Sequence, residues 1–317
     1  MIGLAPVYGL AGLMFAAFAV LSARDRRNRK RWGNALFWGL LAVSFLAGDR
    51  LGDAGNGLLV VALAMIAGLG GLGRGEPATT SPEARRGLAA RFGHRLFAPA
   101  LVMPAVVAAG ALGLKALTFG GRPLVDPKQA TLIALAAGAL LALGAALALL
   151  RQSPLAALQE GRRLADTVSW AALLPQALAA LGAVFALAGV GEVIGRLVAD
   201  WIPAESRLTA VAVYCLGMAG FTMLMGNAFA AFPVLTGGVG VPILVHRFGG
   251  DPAAVAAIGM LSGFCGTLMT PLAANFNLVP PALLELPDRY AVIKAQVPTA
   301  LPLLVVNMGL MYAFAFP

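Results

Sequence analysis

Charge is scarce in this chain. Only 12% of its 317 residues are Asp, Glu, Lys or Arg, while 60% are apolar. Soluble domains run at about 25% charged and about 45–50% apolar. One soluble core cannot bury such an excess, so the composition implies lipid as the solvent. Cysteine and histidine are rarer still, with two of each. Cys215 and Cys265 stand in apolar runs, form no C-x-x-C and have no metal spacing, so they read as small packing residues. His94 and His246 sit beside arginines at segment ends, and no metal site is expected. There is no H-E-x-x-H and no pair of aspartates inside an apolar segment; Ser262 and His246 exist, but His246 lies at a segment end next to Arg247. An intramembrane protease needs one of those constellations, so no catalytic residue is expected.

What charge there is leans positive, +9 in all. Its distribution argues against nucleic acid, because the basic residues cluster in short loops between apolar runs, as membrane proteins use them to fix orientation. A spanning helix needs about 20 mostly apolar residues. Ten segments come close or qualify: Gly3–Leu21, Gly33–Gly48, Gly57–Gly73, Leu96–Leu114, Ala130–Leu150, Trp170–Val190, Leu208–Gly226, Ala228–Val245, Ala253–Pro271 and Ala295–Phe316. The loops 24–31, 74–95 and 151–166 hold six, five and three Lys or Arg, against one, three and two in the alternate loops. The richer set is read as cytoplasmic, with the N-terminus outside. The basic block RDRRNRKR follows the first span, the reverse of a secretory signal, so that span is expected to be retained. The second half of loop 74–95 has a basic amphipathic pattern suited to anionic lipid, although a solvated linker obeying the charge rule also explains its arginines. Gly191–Pro203 has apolar residues at helical spacing and reads as a short helix at the outer interface, with Glu192 in solvent.

The C-terminal third departs from this plain pattern. Leu208–His246 and Pro252–Leu284 are free of Asp, Glu, Lys and Arg for 39 and 33 residues, and each is interrupted late. The first interruption is GNAFAAFPVLTGGVGVP, the second GTLMTPLAANFNLVPP. Proline removes a backbone donor and glycine costs about 1 kcal/mol inside a helix. Broken backbone is tolerated at membrane depth only within protein or beside a water-filled cavity. Paired interruptions of this kind build solute sites in secondary transporters. The expected fold is therefore an all-α polytopic membrane protein. It has nine to ten hydrophobic segments, two of them broken or re-entrant in the C-terminal third. One integral membrane domain, 1–317, divides into a five-span half, 1–150, and a half carrying the breaks, 168–317. The two interruptions also share an order of Gly-Phe, a Met/Thr-rich turn, Asn near Phe, then Pro, which suggests a repeat without fixing its orientation. Whether Ala228–Val245 crosses or re-enters, and so the side of the C-terminus, stays open.

The stretch from Gly226 to Asn307, running from GNAFAAFPVLTGGVGVP through GTLMTPLAANFNLVPP to LPLLVVN, closely resembles a bacterial family of membrane proteins. That family is thought to supply one subunit of a two-component 5-oxoproline (pyroglutamate) permease. The resemblance is specific from about Asn227 to Asn307 and looser before it. It implies transport of a small carboxylate, a second and smaller membrane subunit as partner, and a place in the bacterial inner membrane. It assigns no site residue. The candidates come from the breaks. The amides of Asn227, Asn275 and Asn277 suit the lactam, which both donates and accepts. Half-helix N–H groups near Gly237, Gly238 and Gly240 suit the carboxylate. The hydroxyls of Thr236, Thr267 and Thr270 suit the substrate or a sodium ion. Each has a plainer alternative: Asn and Thr join membrane helices at about 0.6 kcal/mol each, and glycines allow close packing. Asn307 reads as such a joint, and Gln176 as a weaker candidate.

No Asp, Glu, Lys or Arg lies securely at the centre of any of the ten segments. Such residues are the usual proton relays, so sodium coupling, or a partner carrying the ionisable group, is favoured over a proton relay in this chain. No other cofactor is expected, and homo-oligomerisation stays open. The alternative to a permease subunit is a structural or regulatory subunit of a transport complex, which would have no need of paired breaks.

Overall fold

The computed structural model describes residues 3–73, 75, 81–113, 118–119, 122–123, 125–199, 206–284 and 286–316. The chain forms two compact units, 1–167 and 168–317.

The first unit holds α1 (Ala5–Arg24), α2 (Arg31–Gly68), α3 (Pro82–Phe92), α4 (Phe97–Gly113), α5 (Ala130–Leu150) and α6 (Pro154–Val168). A two-residue antiparallel pairing, Thr118–Phe119 with Arg122–Pro123, lies between α4 and α5. As one straight rod, the 38 residues of α2 would be about 57 Å long at 1.5 Å per residue. Its ends instead touch. Asn34 Nδ2 donates to the Gly73 carbonyl at 2.6 Å, and the Gly73 N–H donates back to Asn34 Oδ1 at 2.9 Å. Gly33 lies so near the Gly71 carbonyl that a Cβ would collide with it. The reversal is at Gly52, whose φ of 63° is open to glycine and strained for other residues. Asn56 Nδ2 closes the tip by donating to the Gly48 and Gly52 carbonyls, both at 2.9 Å. α2 is thus a helical hairpin of two spans, with Asp49, Arg50 and Asp53 exposed around its tip. Trp38 anchors the interior, stacked on Phe15 at 5.7 Å and met edge-on by Phe18 and Phe37.

The second unit begins with a short 3-10 turn and α7 (Leu174–Leu187), followed by α8 (Val190–Ala199). The two helices meet at a bend of 66°. Then come α9 (Arg207–Met225), α10 (Ala228–Leu235), a π-helix (Thr236–Arg247), α11 (Pro252–Leu268), α12 (Ala274–Asn277), α13 (Val279–Leu283) and α14 (Ala291–Phe314). α9 and α11 run parallel: Gly259 faces Tyr214 and Gly266 faces Ala219, in rising order along both helices. α10 and the π-helix return antiparallel to α9, placing Leu235 near Gly217 and Gly240 on Tyr214. α14 is antiparallel to α11, with the Asp251 N–H donating to the Ala315 carbonyl at one end and Asn307 beside Cys265 further along. Tyr214, Met218, Leu244 and Met311 are completely buried among these helices.

Among the described residues, seven helices are long and apolar enough to cross a membrane, and the bent α7–α8 pair makes an eighth. Counting both arms of α2 and the 17-residue α11 gives ten. The fold is a multi-pass helical bundle in both units. Three details differ from the sequence reading. Ala228–Arg247 is not broken at its glycines; it is one continuous 20-residue stretch, α-helical and then π-helical, with the length and composition of a span. Pro242 cannot donate to an i−4 carbonyl, and widening the turn keeps the neighbouring backbone groups paired. The short helix expected at Gly191–Pro203 is there as α8, but it is joined to α7 at the 66° bend. Gly191 and Gly195 of α8 pack directly on the backbone of Gly238. Its Glu192 is exposed, as expected. Finally, the loop after α5 contains α6, a helix whose Arg162 and Asp166 are buried while Leu155 and Leu164 face outward.

Candidate functional site

The two interruptions meet. α9 ends at Met225, and Gly226 turns the chain at φ 72°. Asn227 then caps α10, its Oδ1 accepting from the Phe229 N–H at 2.8 Å. α11 ends at Leu268 and residues 269–273 form a non-helical elbow before α12. Because α9 and α11 are parallel, both elbows fall at the same end of their helices. A Cβ on Gly226 would stand 2.5 Å from the Leu272 carbonyl oxygen. Thr270 Oγ1 donates to the Met223 carbonyl at 2.9 Å and accepts from the Leu272 N–H at 3.2 Å, tying one elbow to the other. Asn277, completely buried, donates from Nδ2 to the Thr267 and Thr270 carbonyls, both at 2.7 Å. Those two bonds fix the orientation of its amide and satisfy carbonyls that the end of α11 leaves free.

Two buried polar atoms at the elbows have no partner among the described residues: Asn277 Oδ1 and Thr222 Oγ1. Thr222 lies one turn before Gly226 and close to Gly263. Buried polar groups of this kind are uncommon, because each left unpaired costs about 1–3 kcal/mol. Depth along the unit can be read from α14. Asn307, beside Cys265 near the end of α11, is 16 residues from the start of α14 at Ala291. At 1.5 Å per residue that is about 24 Å, so the elbows lie well inward of the end where α14 begins.

The predicted residues divide into two groups. Asn227, Thr267, Thr270, Asn275 and Asn277 belong to the elbows. Thr267 Oγ1 turns back to the Gly263 carbonyl at 3.4 Å, as membrane threonines do. Asn275 is half-buried on α12. Thr236, Gly237, Gly238 and Gly240 lie apart from them, further along the returning helix. Thr236 exchanges a hydrogen bond with the Tyr214 hydroxyl at 2.9 Å. Gly238 and Gly240 are buried against α8 and Tyr214, while Gly237 is exposed. These glycines do not open a half-helix. They lie inside the π-helix, whose N–H groups are directed at its own carbonyls; the helix starts at the elbows are those of α10 at Ala228 and of the four-residue α12 at Ala274. The side chain of Gln176 lies outside the described residues. Asn307 is an interhelical joint, donating to Cys265 Sγ at 3.6 Å. Both cysteines are buried and free. No cluster of three metal-binding side chains occurs among the described residues.

Thr222 and Gly226 were legible only in part: Gly226 opens the first quoted break, but nothing in the sequence distinguishes Thr222 from other helix threonines. A groove of about 510 Å³ opens elsewhere, in the first unit, walled by Leu88, Leu143, Leu147 and Leu150 with Arg85 and Glu160 present. Its apolar wall suits no small polar solute, so the elbows remain the better site by chemistry.

Fold and elbows together define a multi-pass α-helical membrane protein whose irregular backbone is concentrated in its C-terminal unit. The chain belongs to the family described as "Protein of unknown function (DUF979)", which it matches over residues 5–316. No curated protein and no solved structure matches it.

Proposed function

We propose that this chain is a permease subunit of the bacterial inner membrane that moves a small carboxylate, 5-oxoproline, together with a smaller membrane partner. The observation that carries the reading is the junction of the two elbows, where Asn277 donates to two carbonyls and its own buried Oδ1 has no partner among the described residues. An acceptor so placed suits the lactam N–H of 5-oxoproline, and the Thr222 hydroxyl suits its lactam oxygen. The substrate carboxylate falls to the start of α10 beside Asn227, where helix N–H groups and the helix dipole favour an anion. The substrate and the partner rest on the sequence resemblance over Asn227–Asn307. The positive-inside charge pattern supports an N-terminus outside.

Uptake of labelled 5-oxoproline by cells expressing this chain, with and without the partner, in sodium and sodium-free buffer, tests the reading. Uptake that requires this chain and falls at least tenfold in Thr222→Val supports it. Absence of uptake in every condition, with both proteins shown to be in the membrane, rejects the substrate.

A further inference from the structure

The first unit contains a buried charged centre that the mechanism above does not use. Asp25 follows α1, and Arg162 and Asp166 stand one turn apart on α6. Arg162 Nη2 donates to Asp25 Oδ2 at 3.0 Å, and Arg162 Nη1 is 3.9 Å from Asp166 Oδ2. All three side chains are at least nine-tenths buried. From α2, Trp38 Nε1 donates to Asp166 Oδ1 at 2.8 Å. Gly75 backs onto the cluster, with room for no side chain between Asp166 Oδ2, Arg162 Nη1 and Asp25 Oδ2.

The centre is unbalanced in charge and in hydrogen bonds. Two carboxylates face one guanidinium. No other charged side chain faces Asp166 from α1, α2 or α6 among the described residues; Trp38 and Asn34 are neutral. Both oxygens of Asp25 are engaged, Oδ1 by the Arg27 N–H at 3.2 Å and Oδ2 by Arg162. Asp166 Oδ1 is engaged by Trp38. Among the described residues Asp166 Oδ2 has no hydrogen-bond partner within bonding distance, and 3.9 Å is too long for one from Arg162.

We propose that Asp166 Oδ2 is a proton-binding site, so that the Asp25–Arg162–Asp166 centre passes from one net negative charge to neutrality when it takes up a single proton. The proton adds to the free oxygen and leaves Arg162 paired with Asp25, one charge against one. Burial drives the same way, pushing the Asp166 carboxyl above the usual range against the opposing pull of the Trp38 bond, the Arg162 charge and the nearby Asn34 amide and Gly75 N–H. The centre gives this chain an ionisable group of its own, independent of what it transports. A small cation is a poorer occupant, because Arg162 already supplies positive charge and Gly75 fills the space.

Trp38 provides the reporter. The chain has four tryptophans, so W32F, W170F and W201F together leave Trp38 alone in the full-length protein. In detergent or lipid, its emission is expected to titrate with one midpoint above the ordinary aspartate value of about 3.9. D166N keeps the oxygen that Trp38 needs and should abolish the titration. D25N removes the competing negative charge and should move the midpoint to lower pH. An infrared difference band for a protonated carboxyl, lost in D166N and kept in D25N, is the second readout. A titration that survives D166N, or a midpoint at or below the ordinary value, overturns the proposal.

Discussion

Asn277 donates both amide hydrogens to carbonyls that the elbow would otherwise strand, and this makes it the residue on which the second elbow depends. Asn277→Ala removes both bonds in a buried setting, at about 1–3 kcal/mol each. The expected result is a clear drop in melting temperature in detergent. Asn275→Ala, on the half-buried side of the same turn, should stay within about 0.5 kcal/mol of the parent. An equal loss from both would mean that the turn, not the amide, matters. At this scale the sequence was legible where a polar residue stands next to a break: Asn227, Thr270 and Asn277 were all singled out on that ground. It misled at Gly237, Gly238 and Gly240, because glycine permits both a broken helix and a close helix contact, and only the position of α8 distinguishes them. It hid Arg162 and Asp166. Their i,i+4 spacing was visible, but the arginine was already explained by the positive-inside rule, and nothing local marks a loop helix as turned inward.

Two elements turn on single glycines. Gly226→Ala forces a side chain onto φ 72° and against the Leu272 carbonyl. The conformational part alone is about 1–2 kcal/mol. Gly220→Ala, two turns earlier on α9 with nothing within 4 Å of its Cβ position, is the control. It should be neutral or gain up to about 1 kcal/mol, as a helix glycine replaced by alanine does. Thermal melting of the two variants should therefore diverge in sign or clearly in size. The α2 hairpin is tested by distance. With Cys215 and Cys265 replaced by alanine, cysteines at 34 and 73 should join through a short bifunctional reagent within one chain. A continuous rod would hold them roughly 58 Å apart and give no such product. The two arms were legible as separate spans because Asp49, Arg50 and Asp53 interrupt the apolar run. The π-helix was not, since glycine and proline in sequence signal a fault in the α-helix without saying how the backbone repairs it.

At the scale of the whole molecule, if all ten apolar segments cross, both termini face the same side of the membrane. Tags at each end should be equally accessible to, or equally protected from, protease added to sealed cells. Opposite behaviour would show that one apolar segment does not cross. The span count and the weight of irregularity in the C-terminal unit were readable from hydropathy and from the two uncharged runs. The packing within each unit was not readable, because membrane-helix contacts depend on small residues spread evenly through the sequence. Stability carries a pH signature as well. Asp166 titrates higher in the folded chain than in the unfolded one, so its contribution is present at low pH and is lost as pH rises through the folded midpoint. Melting temperature should climb as the pH falls through the folded midpoint toward the ordinary aspartate value of about 3.9, and climb less in D166N. The same centre differs from the exposed Asp288–Lys294 pair, joined at 2.7 Å beside α14. Mobile ions screen exposed charges within a Debye length of about 10 Å at 0.1 M, and reach buried ones far less. Added salt should therefore weaken the link at Asp288 while leaving the acid response of the first unit where it was, so that ionic strength and pH act on this protein as two independent controls.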